Sequence, residues 1–159
     1  MKNFSNTYLI LVGLVTLAAA GLHIFIILGG PSWYSRVGAP DQIVRMVKAG
    51  RFYPIGFSLM VATFLAFCSA YAFSGAGIIQ YLPFSRTMLK CIGSFFLIRG
   101  IIFIPIMLVR PDIMAMICNS KGVDTFLVAT SILCAAIGAG FIFGAINVPA
   151  WGVVMALPE

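Results

Sequence analysis

Four apolar runs, each long enough to cross a lipid bilayer, restrict this chain more than any other feature. They are Tyr8–Leu28, closed by Gly29-Gly30-Pro31; Pro54–Ser74, closed by Gly75-Ala76-Gly77; Met88–Val109, ended by Arg110-Pro111; and Thr125–Ile146, followed by Asn147-Val148-Pro149. A helix rises about 1.5 Å per residue, so about 20 apolar residues span the hydrocarbon layer. Strands cross a membrane only as closed barrels, whose segments alternate over about ten residues. These runs are continuous, which predicts helices. Of 159 residues, 62% are apolar and 9% charged; a water-facing surface needs about a quarter charged. The expected fold is an all-α membrane protein: a single domain over residues 1–159, with four transmembrane helices in an antiparallel bundle.

Lys2, an apolar stretch and Ala18–Ala20 imitate a signal peptide with its small-residue cleavage site. The run continues to Leu28, so it is read as a span. Orientation follows from the basic residues of the connections. Loops one and three hold six (Arg36, Arg45, Lys48, Arg51, Arg110, Lys121), against three on the other side (Lys2, Arg86, Lys90). The positive-inside rule then expects loops one and three in the cytoplasm and both termini outside.

Short interfacial helices are expected in loops one and three. Pro40–Gly50 opens with Pro-Asp and closes at Gly, with Ile43, Val44 and Val47 near one face and Asp41, Arg45 and Lys48 on another. Such a helix lies on anionic headgroups. Pro111–Gly122 repeats the Pro-Asp start and the Gly stop. The formal charge of +6 is scattered over loops, which expects membrane-surface contact and no nucleic-acid partner.

One charge sits where it is costly. In FFLIRGIIFIP, Arg99 precedes Arg110 by 11 residues, about 16 Å along a helix. Arginine near the bilayer centre costs about 2.5–3.5 kcal/mol on insertion scales, so it must face protein, water or ligand. His23, the single histidine, lies at a comparable depth once the arginine reaches toward the surface. Ser58 and Thr63 on the second span and Thr130 and Ser131 on the fourth complete a candidate ligand-binding layer, with Trp33 as anchor or pocket wall. Thr16, Ala19, Ala20 and His23 form one small and polar stripe, and Ser58, Ala62, Ala66 and Ser69 another. The expected interior is therefore small and polar, with Leu, Ile and Phe toward lipid. Pro105 removes a backbone donor and is expected to bend the third span after Arg99 and Gly100.

Ala136, Gly140 and Gly144 recur at intervals of four, the small-residue pattern that lets membrane helices approach. This packing face expects either another span of the same chain, or a protein partner or second copy.

The segment HIFIILGGPSWYSRVGAP with the later IRG resembles small uncharacterised bacterial inner-membrane proteins with four spans. The resemblance covers the first span and loop one. It implies a fold and a bacterial inner membrane, without an activity.

Motif chemistry is sparse. Cys68, Cys91, Cys118 and Cys134 contain no Cys-x-x-Cys pair, and GxSxG, P-loop and HExxH signatures are absent. One histidine excludes a two-His metal or haem site within the chain, and no cofactor is expected. The spans hold no carboxylate for proton-coupled transport. Arg99 as anion clamp and His23 as acid-base would be a thin catalytic set, leaving enzyme chemistry the least favoured form. The first expectation is a non-catalytic interaction, accessory, immunity or regulatory module. The alternative is binding or transport of a small anionic or amphipathic ligand at the His23/Arg99 layer.

Overall fold

A computed structural model describes residues 2–39, 41–109 and 125–148. The described residues form helices and no strand: α1 Lys2–Gly29, α2 Pro31–Arg36, α3 Asp41–Lys48, α4 Phe52–Gly75, α5 Ser85–Val109 and, from Thr125–Asn147, α6. The expected spans lie within α1, α4, α5 and α6, and the expected surface helix of loop one is α3. The second expected surface helix, Pro111–Gly122, lies outside the described residues. Helix α1 begins at Lys2 rather than Tyr8, because Lys2–Thr7 contains no Gly or Pro to stop the backbone ladder from starting early.

Among the described residues, three helices are long and apolar enough to cross a membrane: Asn6–Gly29, Phe52–Gly75 and Val128–Asn147. Neighbouring helices cover only 22%, 39% and 33% of their apolar windows, so most of their surface is left to solvent. That surface is bulky and apolar, including Leu11, Leu14, Phe25, Phe57, Met60, Phe67, Ile132 and Phe143. In water such an expanse would far exceed the apolar patches tolerated by soluble monomers.

The long helices pack as two antiparallel pairs, α1 with α4 and α5 with α6, joined by smaller α1–α6 and α4–α5 contacts. Along the α5–α6 seam the backbones nearly touch. A Cβ added at Gly100 would stand 2.7 Å from the Ala135 amide nitrogen and the Ser131 carbonyl oxygen; one at Gly138 would stand 2.7 Å from the Gly93 carbonyl oxygen and the Leu97 nitrogen. The α1–α4 seam is joined by side chains, with Ser69 Oγ donating to the Gly13 carbonyl at 2.9 Å.

The interior departs from the small and polar expectation. Thr16, Ala20, Ser58, Ala62 and Ser69 are buried as expected, but so are Leu9, Leu65, Leu89, Ile92, Phe96 and Phe141. Phe96 and Phe141 stack with centroids 6.1 Å apart and planes 7° from parallel. Helices pack with axes about 8–10 Å apart, and small residues alone would leave voids between those that do not touch backbone to backbone. Ala66, expected on the inner stripe, is exposed. Pro105 lies within a continuous α5, with its side chain exposed.

The connections are stapled by hydroxyls. After α1, Gly30 adopts φ 66°, a left-handed turn that suits glycine, and Pro31 starts α2 where its missing donor is harmless. Tyr34 turns inward: its hydroxyl lies 3.0 Å from Ser58 Oγ and 3.3 Å from the Pro54 carbonyl. Between α4 and α5, Ser74 Oγ accepts from the Leu82 amide at 2.7 Å, and Ser85 Oγ donates to the Leu82 carbonyl at 2.6 Å.

Candidate functional site

Arg99 is half-buried on α5, beside the Gly100 contact that brings Ser131 and Ala135 of α6 against the backbone. One guanidinium nitrogen, Nη1, is buried, and Cys134 of the facing helix lies near the arginine. Thr130 is half-buried one position before Ser131. Ser131 is 1% exposed and its hydroxyl has no hydrogen-bond partner among the described residues. The α5–α6 seam thus gathers Arg99, Thr130 and Ser131 from the expected layer and adds Cys134.

The remaining members lie elsewhere. His23 is half-buried on α1, with Nδ1 2.8 Å from the Ala19 carbonyl oxygen. That contact requires the proton on Nδ1 and leaves Nε2 as the ring's second polar atom. His23 belongs to α1, whose main packing partners are α4 and α6, whereas Arg99 belongs to α5 and its seam with α6. Ser58 is buried but spent on Tyr34. Thr63 corrects the expectation outright: it is exposed on the outer face of α4, and its hydroxyl donates to its own helix at the Leu59 carbonyl, 2.9 Å away. A helix turns about 100° per residue, so depth alone never aligned Thr63 with the buried side of Ser58, Ala62, Leu65 and Ser69. Trp33 is 38% exposed, with its ring against Gly29 and the Arg36 guanidinium 5.9 Å above it, a cation–π pair outside any layer.

The packing residues divide too. A side chain at Gly140 would run into Val12, and one at Gly144 into Leu9. The small-residue face is therefore occupied by α1 of the same chain, while Ala136 at its end is exposed. The seam with the closest backbone approach, Gly93, Gly100 and Gly138, was not expected. Its signal is present: Gly93 and Gly100 are seven apart, and Ser131, Ala135 and Gly138 follow at four and three, all spacings that return to one helix face.

On the outside of α4, Gly56, Leu59, Met60, Thr63, Phe64 and Phe67 line a shallow, open apolar furrow. Its floor is low because no atom lies within 4 Å of the Cβ position at Gly56. Among the cysteines, Cys68 is buried, Cys134 half-buried and Cys91 exposed. The described residues contain no cluster of three His, Cys, Asp or Glu suited to a metal ion.

Compared with protein-family models, with curated proteins and with solved structures, the chain matches none. Function must be read from the residues themselves.

Proposed function

We propose that this is a four-span integral protein of a bacterial inner membrane, with both termini outside, that works as a non-catalytic interaction module of the accessory, immunity or regulatory kind. Helix α5 is the fourth span in this reading: after Arg86 and Lys90 its only charge is Arg99, which is half-buried. The observation that carries the reading is the outer face of α4. Gly56 and Thr63 make a low track between Leu59, Met60, Phe64 and Phe67, a shape that accepts a side-chain ridge from a partner's membrane helix. Partner contact through the fourth helix has less support, because Val12 and Leu9 already fill the places over Gly140 and Gly144.

A photo-cross-linking residue at Met60, compared with one at Ile132 on the exposed side of α6, tests this in native membranes. The expected result is a discrete protein adduct from position 60 and lipid alone from position 132. Lipid adducts alone at both positions overturn it.

The ligand-binding alternative is favoured by one observation, the buried Ser131 hydroxyl, which has no hydrogen-bond partner among the described residues, in the same seam as Arg99. It expects Arg99→Leu to leave folding and the position-60 adduct intact while removing a bound small anion. Loss of stability instead assigns Arg99 to structure.

A further inference from the structure

The α2–α3 segment carries charges that neither the furrow of α4 nor the α5–α6 seam uses. From Arg36 to Arg51 the chain holds Arg36, Arg45, Lys48 and Arg51 against Asp41 as its single carboxylate, and all four cations are exposed. Helix α3 sorts its residues by face, since Ile43, Val44, Met46 and Val47 fall on one side and Arg45 and Lys48 on the other. Its apolar residues are only half-buried, and none is fully covered by protein. Beside it stand the exposed Leu28, Trp33, Phe52 and Tyr53, of which Trp33 and Tyr53 are residues that favour the interfacial layer of a membrane.

The segment is also fixed in place. Tyr34 is 4% exposed and ties α2 to the first turns of α4 through Pro54 and Ser58. Helix α3 packs on both α2 and α4. Arg45 is steadied by a weak bond from its Nε to the Asp41 carbonyl oxygen at 3.4 Å, which leaves the other guanidinium nitrogens to point outward. A rigid shelf of cations loses little freedom when it meets phosphate, and this raises selectivity over that of a loose basic tail.

We infer that the α2–α3 shelf is a seat for anionic phospholipid headgroups, formed by Arg45, Lys48 and Arg51 on a platform that Tyr34 holds against α4. This rests on the membrane reading above and adds a lipid class to it. The partner is the leaflet, because the cations flank an aromatic and aliphatic collar that a free phosphate in water would not require.

The test uses the full chain with Trp151→Phe, so that Trp33, within the shelf, is the sole tryptophan. It is reconstituted in vesicles of equal parts phosphatidylcholine and phosphatidylglycerol, with bromine on the acyl chains of one lipid or the other. Brominated phosphatidylglycerol is expected to quench Trp33 at least about twofold more than brominated phosphatidylcholine, since each basic residue near the surface favours anionic lipid by about fivefold. The preference should fall as salt rises and vanish in Arg45→Gln/Lys48→Gln/Arg51→Gln. Equal quenching by the two lipids at low salt overturns the headgroup seat while leaving the membrane reading standing. Quenching by neither lipid overturns both. If the triple variant does not fold, the salt titration of the parent decides alone: a preference unmoved by salt rejects the charge-based seat.

Discussion

The two long seams of this protein solve one problem in different ways. Between α5 and α6, Gly93, Gly100 and Gly138 let backbone approach backbone, so each added Cβ would meet a carbonyl oxygen or amide nitrogen. Between α1 and α4 the helices meet through side chains, with the Ser69–Gly13 hydrogen bond, and the glycine there looks onto the Phe73 ring and the Ala72 methyl. A side chain can rotate away; a helix backbone can yield only by moving the helix. Hydrophobic driving force between helices is absent in lipid, and close dispersion contact replaces it. The glycine seam is therefore expected to tolerate least.

The sharpest way to break this comparison is Gly138→Leu. With the Gly93 carbonyl and the Leu97 amide at 2.7 Å from the new Cβ, the helices must part, at an expected cost of about 3 kcal/mol or more. Reversible unfolding in mild detergent reads it; a loss no larger than that of a side-chain-facing glycine removes the distinction between the seams. Gly140→Ile supplies that reference. Its neighbour is the Val12 side chain, so we expect a loss of about 2 kcal/mol and, because Val12 belongs to the same chain, an unchanged mass on sedimentation. A stable variant of lower mass would instead make this glycine an interface between copies. The smallest effect belongs to the side-chain seam: Ser69→Ala deletes one buried bond to Gly13, at about 1 kcal/mol. A cost matching that of Gly138→Leu would mean that the α1–α4 seam is no more forgiving than its neighbour.

The sequence reading succeeded where a rule acts along one helix. Runs ended by Gly-Gly-Pro or Gly-Ala-Gly marked the ends of α1 and α4, and the Pro-Asp start and Gly stop of loop one marked α3. It failed where two helices had to be set in rotation against each other. Thr63 and Ser58 share a helix and nearly a depth, yet one faces outward and the other meets Tyr34. Ala136, Gly140 and Gly144 were legible as a small-residue face, but that Val12 and Leu9 fill two of the three places was not. Nor did any single run reveal that Phe96 and Phe141 occupy an interior expected to be small.

What the sequence by itself determined is the solvent-scale design: apolar runs of membrane-crossing length, charges confined largely to their ends, and one arginine that needs cover. These follow from the cost of placing polar groups in hydrocarbon, which acts residue by residue. Only the tertiary structure decided which glycines touch backbone, that Arg99 shares the α5–α6 seam with Ser131 and Cys134, and that Tyr34 ties the basic shelf to α4. Those outcomes depend on how each helix is turned about its axis. Helices that are apolar all round carry almost no amphipathic signal to set that rotation, so it is chosen by the mutual fit of side chains on different helices.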